Sequence, residues 1–339
     1  MTEKIQVLVT LPLADELLEE LSAVSDRIEL NVHPTAHASE IPDEVWAEVE
    51  VLYTMHTLPD AEQAPNLSWI QSYLAGIDKI IQGPLLQERS IQLTTMSGAN
   101  TSQVAEHVLT MMLALGHNLP GFMALQSENQ WMQEKGQNYV PLELRGQVVG
   151  IIGYGSIGRQ VARLARAFGA DVLAIKRNVM QPEDDGFSEE DMGDPGGDLF
   201  TRLYPPEAMR SMFKLCDFVA VTVPLTDQTK EMVGKEHLAA LSPSAFLVDV
   251  SRGGVVDHAA LVEALENGEL AGAALDVFPE EPLPEESPLW QMNNVIITPH
   301  VAGFSPAYNR RANRVFAENL RRYLDENELL NLVDFEKEY

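Results

Sequence analysis

Short apolar runs alternate with segments of helical periodicity along nearly the whole chain. IQVLVT precedes ADELLEELSAV, and VEVLYT, LSWIQSY and IQLTT follow, set apart by Pro, Gly and Asn. Short β-branched and aromatic runs between such breakers predict strands, and their alternation with helical segments predicts an α/β protein with parallel sheets. From Ser102 to His117 the apolar positions recur at helical spacing and predict one long helix, broken at Pro120 and Gly121. A second series opens with QVVGIIGYGSIG and continues through DVLAI, DFVAVTV, AFLVDV, LAGAALDV and NNVIIT. That is close to the strand count of one dinucleotide-binding sheet. A last helical segment spans Ser305 to Leu324.

One stretch departs from this economy. Residues 178–204, containing MQPEDDGFSEEDMGDPGGDLF, are rich in Gly, Pro and acids and too long for an ordinary βα loop. They read as an exposed, mobile excursion. EDDG lacks the ligand spacing of a calcium loop, so no metal is expected there.

Composition narrows the function classes. Of 339 residues, 45% are hydrophobic and 22% charged, the mix of a globular protein with a sizeable core. The net charge of −28 argues against nucleic acid and anionic membranes as partners. A solubilising surface explains it, as would a high-salt habitat. No apolar run reaches the ~20 residues of a transmembrane helix. MTEKIQVLVT lacks the basic and apolar regions of a signal peptide. The single cysteine, Cys216, reads as a small core residue, and a cytoplasmic location is the expectation. No Cys/His spacing suggests a metal site.

The motif Gly153-Tyr154-Gly155-Ser156-Ile157-Gly158 stands between the strand VVGII and the helical IGRQVARLARAFG. In that context Gly153 makes the tight turn, Gly155 lets the backbone approach a pyrophosphate, and Gly158 lets the helix pack on the strand. The helix N-terminus offers N–H groups and a positive dipole end to the anion. Binders of NAD usually carry Asp or Glu about 20 residues further on, against the ribose 2′-hydroxyl. Here that place holds Lys176 and Arg177. A carboxylate would repel a 2′-phosphate, whereas a guanidinium can grip it, so NADP(H) is favoured over NAD(H). The alternative is a pair of solvated cations, and an acidic excursion folding back would weaken phosphate binding.

Three further strand ends carry chemistry. AFLVDV runs into Ser251-Arg252-Gly253-Gly254, AGAALDV into Phe278-Pro279-Glu280-Glu281-Pro282-Leu283, and NNVIIT into Pro299-His300-Val301-Ala302-Gly303. Ligands of open parallel sheets bind at the carboxyl ends of strands, which makes Arg252, Glu281 and His300 candidates for one site. Singly each has a plain reading: a surface arginine in a glycine turn, a solvated acid, a strand-capping histidine. His107 reads as a packed helix residue.

Together, the ordered set GYGSIG, VTVPLT, VSRGG, ALDVFPEEPLP and ITPHVAG resembles the D-isomer-specific 2-hydroxyacid dehydrogenases. LAGID and VAEHVL extend the likeness into the N-terminal third. The resemblance implies a Rossmann-type dinucleotide domain (residues 102–301) inserted into a smaller flavodoxin-like α/β substrate domain (1–101 with 302–339), with the catalytic site in the cleft between them. It implies hydride transfer between NAD(P)H, favouring NADPH, and a small 2-keto acid of the glyoxylate or hydroxypyruvate kind.

Imidazole, with an intrinsic pKa near neutrality, suits His300 to protonate the carbonyl oxygen. Glu281, directly before Pro-Leu as in the family, would orient the ring and favour the imidazolium. Arg252 would hold the substrate carboxylate and polarise the carbonyl. By the same resemblance, backbone N–H groups of Leu74-Ala75-Gly76 bind that carboxylate, and Asp276 contacts the nicotinamide amide. Val223, Pro224, Ser251 and Ala302 line the cofactor site. Met55 and His56 are placed to approach the substrate side chain. Trp131 falls where some hydroxypyruvate reductases reach into a partner's active site, with a buried or dimer-packing tryptophan as the alternative; a homodimer is expected. Two other readings stay open: a dinucleotide-sensing, corepressor-like binding protein, and a formate or phosphite dehydrogenase. Formate dehydrogenases carry glutamine at the Glu281 position, which counts against that one.

Overall fold

The computed structural model describes residues 4–337 apart from 79, 89, 133–139 and 185. The chain forms two compact units, Met1–Asn100 with Ser305–Tyr339, and Thr101–Phe304.

The first unit is built on β1 (Ile5–Val9), α1 (Asp15–Ser22), β2 (Ile28–Val32), α2 (Asp43–Glu48), β3 (Val51–Thr54), β4 (Trp69–Ser72), α3 (Pro84–Glu88) and β5 (Gln92–Thr94). Its five strands are all parallel, in the order β2-β1-β3-β4-β5, that of a flavodoxin-like sheet. β3 and β4 are buried along their whole length, which is why VLYT and WIQS lack strict alternation. The C-terminal helix, Tyr308–Leu324, returns to this sheet. Phe316 packs 4.3 Å from the ring of Tyr53, Tyr323 stacks on Trp69, and Asn313 donates to the carbonyl of Leu17.

The second unit opens with α4 (Thr101–Gly116) and α5 (Leu119–Ser127). The break between them lies at Asn118, in the left-handed region with φ +47°. Pro120 therefore sits in the first turn of a new helix, where its missing N–H costs nothing, and does not end one. Then come β6 (Val148–Ile152), α6 (Ser156–Ala167), β7 (Asp171–Ile175), β8 (Arg202–Tyr204), α7 (Met209–Phe213), β9 (Phe218–Val221), α8 (Lys235–Leu238), β10 (Phe246–Asp249), α9 (His258–Glu266), β11 (Gly272–Leu275) and β12 (Val295–Ile297). All seven strands are parallel, ordered β12-β11-β10-β9-β6-β7-β8. The order reverses beside β6, which makes the β6–α6 turn the switch point where dinucleotides bind in doubly wound folds. Two apolar clusters cover the two faces of the sheet, and buried Cys216 belongs to one of them.

Two expectations for residues 178–204 are corrected. Arg202–Tyr204 is a seventh strand, paired with β7 from Leu173↔Arg202. The rest is exposed over much of its length, Met180 to 83%, but it is not a free excursion: Asp194 is 5% exposed and its neighbourhood is anchored on α6. Of EDDG, Asp185 lies outside the described residues. Among the described residues, no single helix is long and apolar enough to cross a membrane, and no cluster of His, Cys, Asp and Glu could hold a metal ion.

Candidate active site and dinucleotide-binding turn

The three glycines of the β6–α6 turn have distinct reasons. Gly153 has φ +99°, and a Cβ there would lie 2.7 Å from Val223 Cγ1. A Cβ on Gly158 would fall 2.1 Å from the carbonyl oxygen of Gly153, so only glycine lets α6 approach the turn. Gly155, the N-cap residue, has open space where a Cβ would stand. No side chain caps α6, so its amino end is presented as main chain at the switch point. A dinucleotide pyrophosphate fits this turn: an anion can approach Gly155 without meeting a side chain, at a positive dipole end. Val223 is half-buried against the core, and the carbonyl of Pro224 accepts the Thr229 hydroxyl at 2.6 Å.

Tyr154 is buried and points the other way. Its hydroxyl donates to Asp194 at 2.6 Å, and burial with that carboxylate pushes the phenol pKa well up. Burial pushes the Asp194 carboxyl up as well, but the Tyr154 hydroxyl, the Asp198 and Leu199 N–H groups and the charge of Arg159 outweigh it and hold it low. Lys176 follows β7, its ammonium donating to the carbonyls of Gln181 and Glu183, and Arg177 next to it is exposed.

Arg252, Glu281 and His300 follow β10, β11 and β12, three adjacent parallel strands, so the topology brings them to one sheet edge. His300 Nδ1 lies 2.9 Å from Glu281 Oε2, and Glu281 Oε1 accepts the N–H of Phe278 at 3.0 Å. Burial pushes the Glu281 carboxyl up, but those two hydrogen bonds and the charges of His300 and Arg252 outweigh it and hold its pKa below the usual range. Arg252 donates to the carbonyl of Ser251 at 2.8 Å. Its loop sits hard against the Glu281 loop, since a Cβ on Gly253 would lie 1.9 Å from the Phe278 carbonyl oxygen.

Beneath this edge is a buried carboxylate layer. Asp249 accepts both the N–H and the hydroxyl of Ser251, and burial pushes its pKa up to about 7 against the pull of those bonds. Asp276, 2% exposed, accepts Thr298 Oγ1 at 2.6 Å and the N–H groups of Val301 and buried Ala302 at 2.9 Å each. His107 on α4 lies 3.3 Å from the Thr298 hydroxyl; burial pushes its imidazole pKa down, against the pull of Asp276. Thr298 was not singled out in the sequence, although a hydroxyl two residues before His300 is a visible signal.

In the first unit, the N–H of Leu74 donates to Ser72 Oγ at 3.1 Å and its carbonyl accepts the N–H of Met96. Of Leu74, Ala75 and Gly76, the N–H groups of the last two have no partner among the described residues. Met55 and exposed His56 follow β3, whose last residue, Thr54, pairs with Ser72 of β4. Trp131 is 75% exposed, which removes the buried alternative.

The family profile described as D-isomer specific 2-hydroxyacid dehydrogenase, NAD binding domain, matches residues 109–302. This chain belongs to that family. It is 33% identical over 313 residues to a glyoxylate reductase of Thermococcus gammatolerans, covering 88% of each chain. To a D-3-phosphoglycerate dehydrogenase of Methanocaldococcus jannaschii it is 30% identical over 323 residues, 94% of this chain. It spans little more than half the length of that relative, 57%. Among solved structures, a D-isomer specific 2-hydroxyacid dehydrogenase from Xanthobacter autotrophicus Py2, in complex with NADPH and MES, superposes with a TM-score of 0.80 at 28% identity over the whole of both chains. For a member of this 2-hydroxyacid dehydrogenase family, the second unit is the NAD(P)-binding domain.

Proposed function

We propose that this protein reduces a small 2-keto acid of the glyoxylate or hydroxypyruvate kind to the D-2-hydroxy acid, with NADPH as the preferred donor. The observation that carries the reading is the His300–Glu281 pair beside Arg252, at the carboxyl edge of the dinucleotide sheet. When bound, the nicotinamide supplies the hydride. His300, held by Glu281 through Nδ1, supplies the proton from Nε2 to the carbonyl oxygen. The anionic Glu281 favours the imidazolium before the transfer and fixes the ring. Arg252 grips the substrate carboxylate and polarises the carbonyl. In the first unit, the N–H groups of Ala75 and Gly76 are main-chain donors suited to a carboxylate. Asp276, with its oxygens taken by Thr298, Val301 and Ala302, holds the nicotinamide end of the site in shape.

The absence of an acid at the end of β7 supports NADPH, as does the NADPH complex of the Xanthobacter relative. The glyoxylate reductase relative supports the substrate class. Exposed Leu119 and Met123 on α5, with Trp131 beyond, form the face assigned to a second copy, as a homodimer. A buried, unpaired Cys216 is in keeping with a cytoplasmic location. The test is a panel of 2-keto acids, each with NADPH and NADH, followed by the loss of the reduced-nicotinamide absorbance. The reading requires turnover of glyoxylate or hydroxypyruvate with a higher kcat/KM for NADPH. No turnover of any 2-keto acid would overturn it.

A further inference from the structure

The loop that offers the Ala75 and Gly76 N–H groups is gripped from the far end of the chain, within the first unit. Tyr308 is the first residue of the C-terminal helix, and its hydroxyl donates to the main-chain carbonyl of Tyr73 at 2.5 Å. In return, the Tyr73 hydroxyl donates to the side-chain oxygen of Asn309. The two phenol rings meet edge to face with centroids 5.1 Å apart, and buried Tyr53 of β3 backs Tyr73 at 6.2 Å. Burial pushes the phenol pKa of Tyr308 and of Tyr73 up, so both remain protonated donors at neutral pH.

The other bonds to this stretch come from the sheet and its loops. The Tyr73 N–H donates to the Thr54 carbonyl at 2.7 Å, and the Leu74 N–H donates to Ser72 Oγ. The Leu74 carbonyl accepts the N–H of Met96 and the Ser72 hydroxyl. Every main-chain polar group of Tyr73 and Leu74 is therefore engaged, directly before two residues whose N–H groups have no partner among the described residues. A fixed pedestal followed by open donors is the arrangement that lowers the ordering cost of gripping an anion.

We propose that Tyr308 is a positioning residue for the substrate: its hydroxyl holds the Tyr73 carbonyl so that the Ala75 and Gly76 N–H groups stand ready for the keto-acid carboxylate. This inference rests on the keto-acid reading above. It gives the C-terminal helix a part in substrate binding besides its part in the core of the first unit.

The test uses the full chain and two variants that each remove one hydroxyl from this helix and keep the ring. Tyr308→Phe loses the bond to Tyr73. Tyr323→Phe, near the other end, loses bonds to Glu50 and Ser68 and serves as the structural control. Steady-state kinetics with glyoxylate and hydroxypyruvate at saturating NADPH are combined with calorimetric Kd values for NADPH and for oxalate in the presence of NADP+. Hydrogen exchange is followed at the Leu74 and Met96 amides. Tyr308→Phe should raise KM for the keto acid and Kd for oxalate by about 3- to 10-fold, with kcat and the NADPH Kd within about 2-fold of wild type. Exchange at the two amides should speed up. Tyr323→Phe should lower the melting temperature and leave KM, oxalate binding and that exchange as in wild type. An active enzyme whose KM and oxalate affinity are unchanged in Tyr308→Phe, or change equally in Tyr323→Phe, overturns the assignment alone. Wild-type protein that turns over no 2-keto acid and binds no oxalate defeats the keto-acid reading and this assignment with it.

Discussion

Asp276 holds His300 in place from the main chain outward. Its carbonyl accepts the N–H of His300 at 2.9 Å, while its carboxylate takes the N–H groups of Val301 and Ala302 and the hydroxyl of Thr298. His300 itself has φ +54°, a left-handed conformation that a non-glycine residue adopts only when its surroundings impose it. The buried carboxylate supplies that imposition.

Replacing Asp276 with Asn keeps one acceptor oxygen but sets an amide donor against the Ala302 N–H. Asp276→Asn should lower kcat by about 10- to 100-fold, equivalent to roughly 1.4–2.7 kcal/mol of transition-state stabilisation. Steady-state kinetics check this, and kcat within 2-fold of wild type (about 0.4 kcal/mol) would release Asp276 from the positioning role.

Glu281→Gln keeps the shape of the pair and removes its charge. The expected result is a kcat about 10- to 100-fold lower with a smaller change in KM, because the lost charge matters most when the imidazolium is present. The sign of its linkage is also fixed. Its folded pKa is depressed, so its contribution to stability is present above the unfolded value of about 4.3 and is lost only as pH falls through the lower folded value. The titration of Glu281 itself therefore adds no pH dependence to stability between about pH 6 and 8.

Two glycines of the same turn should respond oppositely to alanine. Gly158→Ala drives a Cβ against the Gly153 carbonyl and should cost about 2 kcal/mol or more of stability. Gly155→Ala meets nothing within 4 Å, so the melting temperature should hold while NAD(P)+ binding weakens by at least about 10-fold. Melting curves and calorimetry on the two variants separate these effects. Normal cofactor binding by Gly155→Ala would place the pyrophosphate elsewhere.

Asp249 supplies a pH signature of the buried layer. Its folded pKa of about 7 lies above the unfolded carboxylate value, so folding takes up a proton at weakly acid pH. The stabilisation is fully present below the unfolded pKa of about 3.9 and is lost as pH rises through 7. Asp249→Asn keeps an acceptor for Ser251 and removes the titration. Between pH 5 and 8, the wild-type melting temperature should fall relative to the variant by about 3 °C or more. Parallel melting curves would exclude a raised pKa.

The parts of the site that were legible in the sequence are those where one residue type answers one local demand. Gly153 and Gly158 are needed by the turn itself, and Arg252, Glu281 and His300 each lie a few residues beyond an apolar run that had to be a strand. What stayed hidden depends on contacts across the sequence. Arg159 reads as a surface residue of an amphipathic helix until residues 182–194 fold over it. The strand Arg202–Tyr204 is three residues long and gains its identity from pairing with β7. Leu74 looks equivalent to Ala75 and Gly76 in LAGID, and only the Ser72 hydroxyl removes its N–H from use.

The most direct test of the account is kcat for glyoxylate or hydroxypyruvate reduction with saturating NADPH, measured for wild type and His300→Ala. The proton role given to His300 predicts measurable wild-type turnover and a loss of about 10²- to 10⁴-fold in the variant. Wild-type protein that consumes no NADPH with either keto acid, or a variant as fast as wild type, would contradict it.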